Sequence, residues 1–305
     1  MYDILIIGGG PAGLSAGVYS ARKRLKTLLI SGDIGGQMNW TMSIENYLGY
    51  QFITAQELIG KFKEQVSQFP IEQKIGYKIN KLSRIENGFE AEDETGGKYQ
   101  ARAVIFATGK KPTRLGVPGE IEFTGKGVSY CGICDGPLFA GQRVAVIGGG
   151  NSAIQTTLDM VGIAERVYLV SMTKLTADPI LLDKLLSSKN LNIFTEHTIE
   201  RITGEKLVSG IEIRESRSGK TKQFDVAGVF VEIGLSPNSE IVSTMLPLNK
   251  QKEIVINGAG ETGIPGLYAV GDVTDVPEKQ ILVAAGEGAK AAIQAHRYLQ
   301  GLAAL

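Results

Sequence analysis

A short apolar run followed by three glycines and a small-residue segment occurs twice in the chain, and this duplication constrains the fold most. The first copy covers residues 2–13 and the second covers residues 143–153, so that Gly8 and Gly148 stand 140 positions apart. An apolar strand that leads through glycines into a helix and a second strand is a βαβ unit, which forces parallel pairing and a right-handed crossover. A spacing this long indicates duplicated domains rather than a solenoid.

Together with the apolar patterns in the rest of the chain, the two units predict an α/β fold. It has two Rossmann-like dinucleotide-binding domains of the three-layer ββα/βαβ type. Turn-rich stretches near 112–120 and 236–238 predict two crossovers, so the second domain (116–243) is inserted into the first (1–115 and 244–305). A length of 305 residues suits two domains. The predicted elements are strands over 2–7, 27–31, 77–85, 88–93, 98–106, 143–147, 166–170, 206–215, 222–233 and 253–256, and helices over 12–23, 54–68, 151–161 and 285–300.

Composition excludes several classes of protein. Hydrophobic residues make up 43% of the chain, which rules out wholesale disorder. Lysine plus arginine and aspartate plus glutamate both number 32, so no net basic charge favours nucleic acid or an anionic membrane as a partner. Two cysteines are too few for a secreted disulfide scaffold. Because the sequence shows neither a signal peptide nor an apolar run long enough to span a membrane, we expect a cytoplasmic protein.

The first glycine run is a candidate dinucleotide site. Gly8, Gly10 and Gly13 form a GxGxxG pattern between a predicted strand and a predicted helix, where backbone N–H groups can approach a pyrophosphate. The alternative is a tight strand–helix turn without a ligand. An acidic residue that would bind the ribose is absent after the second strand, where Ser31 and Gly32 stand, and Asp33 is offset.

The only two cysteines form a CxxC pair. Cys131 and Cys134 are close enough in sequence to share one disulfide, which in a cytosolic protein is usually redox-active or half of a metal site. The two histidines, His197 and His296, lack the spacing of zinc ligands, so we predict no metal. Two buried thiols are the remaining alternative. Asp135 follows the pair and can shuttle a proton during thiol–disulfide exchange, or serve as a turn or cap residue.

Several motifs in one order carry a family resemblance. The chain resembles the low-molecular-weight thioredoxin reductases over essentially its whole length, and it is also similar to the C-terminal module of the flavoprotein component of alkyl hydroperoxide reductase. The matching segments are IIGGGPAG (6–13), GGQ (35–37), IENY (44–47), ATG (107–109), CGICDGPLF (131–139), VAVIGGGNSA (144–153), GLYAVGDV (266–273) and KQILVAAGEGAKAA (279–292).

The resemblance implies FAD on the first glycine loop and a nicotinamide nucleotide on the second. Asp272 would hold the ribityl hydroxyls, and Gln280 and Ile281 would approach the isoalloxazine. The residues implied for FAD are Gly8, Gly10, Pro11, Ala12, Gly13, Gly36, Gln37, Asn46, Thr108, Gly109, Gly271, Asp272, Gln280 and Ile281. Those implied for the nicotinamide nucleotide are Gly148, Gly150, Asn151, Ser152 and Ala153.

The resemblance also implies a catalytic role for each residue around the CxxC pair. Cys134 would face the flavin, Cys131 would attack the disulfide of a thioredoxin-like protein, and Asp135 would be the acid. The inserted domain would rotate between two states, with hinges near 113–118 and 236–247. A homodimer is expected because the family typically forms one.

Two departures from the family matter. Where thioredoxin reductases that use NADPH carry an arginine cluster, this chain has SMTKLTA over residues 171–177, and Ser171 is not the acid that an NADH site would place there. NADH, NADPH and another donor such as ferredoxin therefore stay open. The peroxide-system relative also has an N-terminal extension with its own CxxC. This chain has no further cysteine, so we expect its electrons to pass to a separate protein.

Taken together, the sequence predicts an FAD-dependent disulfide oxidoreductase that reduces a thioredoxin-like protein. An enzymatic rival is a flavin reductase that serves a one-electron carrier, with the cysteines incidental. A non-enzymatic rival is an FAD-binding redox protein that has lost its donor site. We expect Trp40 to pack internally or to face a partner.

Overall fold

The computed structural model describes residues 1–40, 43–44, 46–185 and 188–303. The first part of the chain forms β1 (Tyr2–Ile7), α1 (Pro11–Arg22), β2 (Thr27–Ser31), β3 (Ser43–Ile44), β4 (Ile53–Thr54), α2 (Ala55–Ser67), β5 (Ile71–Ile75), β6 (Ile79–Ile85), β7 (Gly88–Asp93), β8 (Lys98–Phe106) and β9 (Lys110–Pro112).

The middle of the chain forms β10 (Val128–Ser129), α3 (Gly132–Asp135), β11 (Arg143–Ile147), α4 (Asn151–Val161), β12 (Arg166–Ser171), α5 (Pro179–Leu185), β13 (Leu191–Thr195), β14 (His197–Gly204), β15 (Val208–Glu215), β16 (Thr221–Asp225), β17 (Gly228–Val231) and β18 (Leu235–Pro237). The last part forms β19 (Leu267–Ala269) and α6 (Ile281–Ala303). Both predicted βαβ units are present, and their strands pair in parallel.

The strands separate into sheets that follow the predicted insertion. The largest sheet has the order β5-β2-β1-β8-β7-β6, with β19 pairing β8, so it combines strands from both ends of the chain. The middle of the chain builds a parallel sheet, β10-β17-β11-β12-β13, and an antiparallel sheet, β14-β15-β16. The central strands β1 and β11 pair in parallel on both sides and are buried on both faces, which explains their continuous apolar runs. The domain boundaries at 115/116 and 243/244 stay a prediction.

Helix α6 covers the first glycine-containing helix, α1. A Cβ at Gly288 would lie 1.9 Å from the carbonyl oxygen of Ala12, so the backbones of α6 and α1 meet where no side chain fits. The small residues of α1, such as Ala16, are fully buried in this contact. Small-residue packing therefore fixes the start of α1 against the largest sheet and positions the loop before it.

The two crossovers between the sheets run side by side. Strand β9 pairs antiparallel with β18, with Lys110 opposite Pro237 and Pro112 opposite Leu235. The side-chain amide of Asn238 donates to the carbonyl of Thr108 at 2.8 Å, and the Thr108 hydroxyl donates to the carbonyl of Asn238 at 2.8 Å. The predicted hinge segments adjoin this two-stranded ribbon.

Some predicted elements were wrong in detail. The strand predicted over 222–233 is two strands in different sheets: β16 is largely exposed, whereas β17 is buried throughout. The strand predicted over 253–256 does not form. Ile254 makes only isolated bridges, to Leu248 and Thr274, and its apolar character reflects complete burial. Helix α6 begins at residue 281 rather than 285. Strands β5, β13 and β14 and helix α5 were not predicted.

Candidate active site at the first glycine-rich loop

A cavity of about 580 Å³ opens at the carboxyl ends of β1 and β8, the usual ligand site of a parallel sheet. Its lining includes the three predicted catalytic residues together with nearly all of those predicted for FAD, namely Cys131, Cys134, Asp135, Gly8, Gly10, Pro11, Ala12, Gly36, Gln37, Asn46, Thr108, Gly109, Gly271, Asp272, Gln280 and Ile281. The structure thus brings together residues from widely separated parts of the sequence. Gly13 and the second glycine loop are not part of this lining.

Each glycine of the first loop has a separate structural reason. Gly8 has a φ of +117°, and a Cβ on it would lie 2.2 Å from the carbonyl oxygen of Ala107. A Cβ at Gly13 would lie 1.9 Å from the carbonyl oxygen of Gly8, which explains why Gly13 supports the turn without lining the cavity. A Cβ at Gly10 would meet no atom within 4 Å, so its absence keeps open the space before α1. That space is where a pyrophosphate meets a helix N-terminus.

Polar groups at the ribose end of this loop are used within the protein. The Ser31 hydroxyl accepts a hydrogen bond from the Gly9 N–H at 2.8 Å. Asp33 Oδ1 accepts from the Gly36 N–H at 2.9 Å and from the Asn39 amide at 3.2 Å. Asp33 therefore fixes the turn at Gly36, in keeping with its offset position in the sequence.

Asp272 lies between the predicted flavin residues and the start of α6. Its Oδ2 accepts a hydrogen bond from Gln37 Nε2 at 2.6 Å, which joins two of the predicted residues. Burial raises the pKa of Asp272, and the hydrogen bond from Gln37 opposes this only in part. The adjacent Gly271 N–H donates to Glu287 Oε2 at 2.7 Å. Burial likewise raises the pKa of Glu287. The sequence analysis did not single out Glu287, although an acidic residue in an apolar helix is a usable signal.

A second missed group on the cavity wall is an ion-pair network. Glu253 Oε1 lies 2.6 Å from Lys110 Nζ and 3.3 Å from Lys279 Nζ, and both lysines line the cavity. Burial alone would raise the pKa of Glu253, but hydrogen bonds from Lys110 and Asn249 and the charge of Lys279 lower it overall. No sequence pattern indicated that these residues, far apart in the chain, would meet.

Two further contacts connect residues that line the cavity. Asn46 Nδ2 donates to Gln280 Oε1 at 3.0 Å, which joins two of the residues predicted for FAD. The neighbouring residue of the same motif, Glu45, lies outside the described residues. The ring of Trp40 meets the ring of Tyr130 edge to face with centroids 6.4 Å apart, so Trp40 packs across the cavity toward the cysteine segment.

The CxxC pair forms a disulfide beside this cavity. The Cα atoms of Cys131 and Cys134 are 5.3 Å apart, and the Cys134 N–H donates to Cys131 Sγ at 3.3 Å. The Ser129 hydroxyl donates to Asp135 Oδ2 at 2.5 Å and accepts from the Cys131 N–H at 3.1 Å, so one side chain orients both the acid and the first cysteine. Asp135 is almost completely buried. Within the described ranges, no group of three or more His, Cys, Asp or Glu could hold a metal.

The second glycine loop lies apart from the cysteines' cavity and is bonded to the loop after β12. Asn151 Nδ2 donates to Asp178 Oδ2 at 2.9 Å, and the Asp178 N–H donates to Asn151 Oδ1 at 2.8 Å. The Thr176 N–H donates to the carbonyl of Gly149 at 2.7 Å. Ala177, at a position of the expected arginine cluster, is buried in the apolar core. The stretch over 171–177 thus presents neither an arginine nor an acid to the second glycine run.

The first cavity fits FAD by its own geometry. It combines an open helix N-terminus at Gly10 with a half-buried carboxylate, Asp272, that has room to accept further hydrogen bonds. Its volume is within the range of cofactor sites in general. The space at Gly10 could hold the diphosphate of such a group, and Asp272 could accept hydrogen bonds from its hydroxyl-bearing chain.

Comparison with known proteins defines the class. Residues 2–288 match the family described as Pyridine nucleotide-disulphide oxidoreductase. The chain belongs to this family, whose members are enzymes. The family and the thioredoxin reductases use FAD and NADH or NADPH. The predicted α/β fold, the family resemblance and the assignment as an oxidoreductase of this class are confirmed.

Particular relatives sharpen this picture. The chain is 42% identical over 303 residues to a component of the alkyl hydroperoxide reductase of Escherichia coli, covering 98% of this chain and 58% of that protein. It thus spans little more than half the length of this curated relative. The structure matches a thioredoxin reductase from Streptococcus pyogenes with a TM-score of 0.92 at 36% identity, covering 99% of both chains. A Lactococcus lactis thioredoxin reductase, described as the FR conformation, matches with a TM-score of 0.69 at 33% identity, covering 99% of this chain and 100% of that one.

Proposed function

We propose that the chain is an FAD-dependent disulfide oxidoreductase that passes two electrons from a donor through FAD to Cys131–Cys134 and then to a thioredoxin-like protein. The observation that carries the proposal is the shared cavity: the disulfide lines the same space as the first glycine loop, Gln37 and Asp272. A redox-active disulfide beside a flavin site has a direct route for an electron pair.

The cysteine segment supplies the chemistry that the chain itself can perform. FAD bound in the cavity and reduced by the donor would supply the electron pair that opens the Cys131–Cys134 bond. The N–H of Cys134 points at Cys131 Sγ and stabilises negative charge there, which suits Cys131 as the attacking thiolate. Asp135, oriented by Ser129, is the group placed to pass a proton to the thiolate that leaves the Cys131–Cys134 bond. The Cys131 thiolate attacks the partner's disulfide, forms a mixed disulfide and expels one partner thiolate, which takes up a proton. Cys134 then attacks Cys131 Sγ, re-forms the Cys131–Cys134 bond and expels the second partner thiolate, so the partner leaves as a dithiol.

The separation of the two glycine loops supports a second orientation of the inserted domain. The cysteines lie against the first cavity, while the predicted nicotinamide residues do not line it. A nucleotide on the second loop could deliver electrons to this cavity only after the domains reorient. The paired crossovers β9 and β18 are the covalent links about which such a movement would occur. The lower TM-score against the Lactococcus lactis enzyme, at an identity close to that of the Streptococcus pyogenes match, agrees with two orientations in related proteins.

Donor and partner are further parts of the proposal. The stretch over 171–177 favours neither NADH nor NADPH by charge, so ferredoxin or another donor is a second candidate on that observation. A thioredoxin-like protein is the proposed partner because the cysteine pair is half-buried rather than sealed, and Ile133 between the cysteines is 63% exposed. No helix among the described residues combines the length and apolar character that a bilayer crossing requires. A homodimer and a cytoplasmic location stay predictions.

The substitution Cys134→Ser tests the proposal. We expect the variant to keep its flavin absorbance and to lose at least about 99% of thioredoxin reduction, because the disulfide can no longer form. Flavin reduced by dithionite replaces the unknown donor, and thiols formed on thioredoxin are counted. The flavin-to-protein ratio of the variant is the control for folding. Undiminished thioredoxin reduction in the variant contradicts the proposal and favours the flavin reductase alternative.

A further inference from the structure

Glu232 is the first residue after β17 and lies at the carboxyl edge of the second parallel sheet. Its N–H donates to the carbonyl of Ile147 at 2.8 Å. A Cβ on Gly148 would lie 2.3 Å from the Glu232 carbonyl oxygen. The backbone of Glu232 therefore forms one wall of the second glycine loop, and its side chain starts beside the N-terminus of α4.

The carboxylate of Glu232 accepts three hydrogen bonds. Ser152 Oγ donates to Oε2 at 2.6 Å, and Thr156 Oγ1 donates to Oε1 at 3.0 Å. The third donor is the backbone N–H of Gly132, between the two cysteines, at 3.2 Å from Oε1. One side chain thus bonds both the helix after the second glycine loop and the cysteine segment.

The first domain provides an internal control for this arrangement. Ala107 occupies the position of Glu232: its N–H donates to the carbonyl of Ile7 at 2.8 Å, and a Cβ on Gly8 would lie 2.2 Å from its carbonyl oxygen. By position after the first glycine, Ala12 corresponds to Ser152 and Ala16 to Thr156. Three small apolar residues in one domain are replaced by a carboxylate and two hydroxyl donors in the other.

This replacement places a negative charge where a diphosphate would bind. The N-terminus of an eleven-residue helix such as α4 attracts an anion, and Glu232 supplies one from within the protein. A diphosphate arriving at the loop meets a like charge and a Ser152 hydroxyl that is already bonded. Glu232 therefore opposes anion binding at this loop for as long as it remains in place.

The contact with Gly132 extends the effect to the cysteine pair. A Cβ on Gly132 would lie 2.4 Å from Thr156 Oγ1, so the backbone of the cysteine segment rests directly on α4. The hydrogen bond from the Gly132 N–H to Glu232 adds to this packing contact. Displacement of the Glu232 carboxylate removes the partner of the Gly132 N–H and loosens α3 against α4.

We propose that Glu232 is a positioning residue that links dinucleotide binding at the second glycine loop to the state of the Cys131–Cys134 pair. Its carboxylate holds the cysteine segment on α4 when the loop is empty, and a bound diphosphate displaces it. The inference rests on the proposed function only in taking the second loop as a nicotinamide-nucleotide site. Since coupling between two sites is reciprocal, the disulfide and dithiol forms must then bind the nucleotide with different affinities.

ADP-ribose is the probe, because it carries the diphosphate and cannot transfer a hydride. Calorimetric titration uses protein saturated with FAD, so that the first loop is filled. We expect Glu232→Gln, which keeps an acceptor oxygen and loses the charge, to bind ADP-ribose about tenfold more tightly than the wild type. Glu232→Asp, which keeps the charge, should bind weakly like the wild type. The matched control is Glu165→Gln, an exposed carboxylate of the same domain paired with Arg143, and its affinity should not change.

A second readout separates coupling from a merely local charge effect. The equilibrium of the Cys131–Cys134 pair with glutathione is measured by thiol alkylation, with and without saturating ADP-ribose. In the wild type we expect the ligand to shift this equilibrium at least about threefold, and in Glu232→Gln the shift should fall below about half of that. If Glu232→Gln does not fold, Glu232→Ala serves the same two measurements.

Three results would overturn the inference: equal affinity of Glu232→Gln and wild type, an equal redox shift in both, or no binding of ADP-ribose to either. None of these depends on turnover. Thioredoxin reduction by the dithionite-reduced protein tests the proposed function separately, so failure of one proposal is distinguishable from failure of the other.

Discussion

In both βαβ units the first glycine of the loop has a positive φ, +117° at Gly8 and +144° at Gly148. Each donates its N–H at 2.9 Å to the carbonyl of the second-last residue of the neighbouring strand, Ile30 of β2 or Val170 of β12. Helices α1 and α4 both begin after a glycine N-cap with an extended conformation. The two loops therefore have the same backbone, and the glycine pattern alone is sufficient to build it.

The surroundings of the two loops differ. The first loop faces a cavity walled by Ala12 and Ala107, whereas the second is met by Glu232 and by the loop that ends at Asp178. A glycine-rich loop thus defines where a phosphate can approach. Side chains from other strands then determine whether the phosphate can reach the loop.

The last small residue of each loop pattern, Gly13 or Ala153, gives the largest expected difference in stability between the two loops. Gly13→Ala places a Cβ 1.9 Å from the backbone oxygen of Gly8, and we expect it to lower the free energy of unfolding by roughly 3 kcal/mol. The reverse change in the second loop, Ala153→Gly, removes one buried methyl group and should cost about 1 kcal/mol. Urea unfolding of both variants measures the difference. Equal losses would show that the two turns are packed alike.

The N-cap glycines give the next contrast. Gly10→Ala and Gly150→Ala both put a Cβ into open space at a negative φ, so the cost to helix capping is common to both. We expect Gly10→Ala to weaken FAD binding about 30-fold, or about 2 kcal/mol, because the Cβ blocks the approach of the diphosphate. Gly150→Ala should leave FAD affinity unchanged. Flavin fluorescence titration measures the FAD affinity of both variants. A similar weakening in Gly150→Ala would contradict the assignment of FAD to the first loop.

Asp272 gives the smallest expected effect. Because burial raises its pKa in the folded state, the folded protein binds more protons than the unfolded chain just above the ordinary aspartate pKa of 3.8. The stability of the FAD-free protein is thus lost as pH rises through the raised pKa. We expect Asp272→Asn to be about 1 kcal/mol more stable than the wild type at about pH 7 and no more stable at about pH 3. Unfolding in urea at both pH values checks this.

The control for that experiment is Asp183→Asn, an exposed aspartate on α5 of the inserted domain. It should give no gain at either pH. A gain from Asp272→Asn of the same size in acid and at neutral pH would show that ionisation of Asp272 is not its cause.

Local pattern predicted the elements that depend on nearby residues. The two βαβ units, the hairpin strands β7 and β8, and the helix α2 followed from apolar periodicity and glycine breaks, because these features act over a few residues. The prediction of one strand over 222–233 was wrong because the largely polar β16 and the buried β17 follow each other closely in the chain, and only the tertiary structure sends them to different sheets. The strand predicted over 253–256 was wrong for a similar reason. Ile254 is apolar because it is buried in the core and not because it pairs in a strand.

The candidate site shows the same division. The glycine loops and the CxxC pair were visible because each functions through residues a few positions apart. Glu287, Glu253 and Glu232 were missed because their partners lie far along the chain: Gly271, Lys110 and Gly132. Glu287 and Glu232 each had a local signal, an acid in an apolar helix and an acid at the end of an apolar strand, but neither signal indicated the partner.

By itself, the sequence determined two glycine turns, two βαβ units and a cysteine pair spaced to share one disulfide, since steric and hydrogen-bonding rules acting over short separations specify each of them. Only the tertiary structure decided that the thiols face the first loop and that Glu232 meets the second. The first contact depends on how two sheets dock across the β9–β18 ribbon, and the second depends on the pairing of β17 with β11 inside one sheet. Both are set by the summed packing of residues that no short pattern connects.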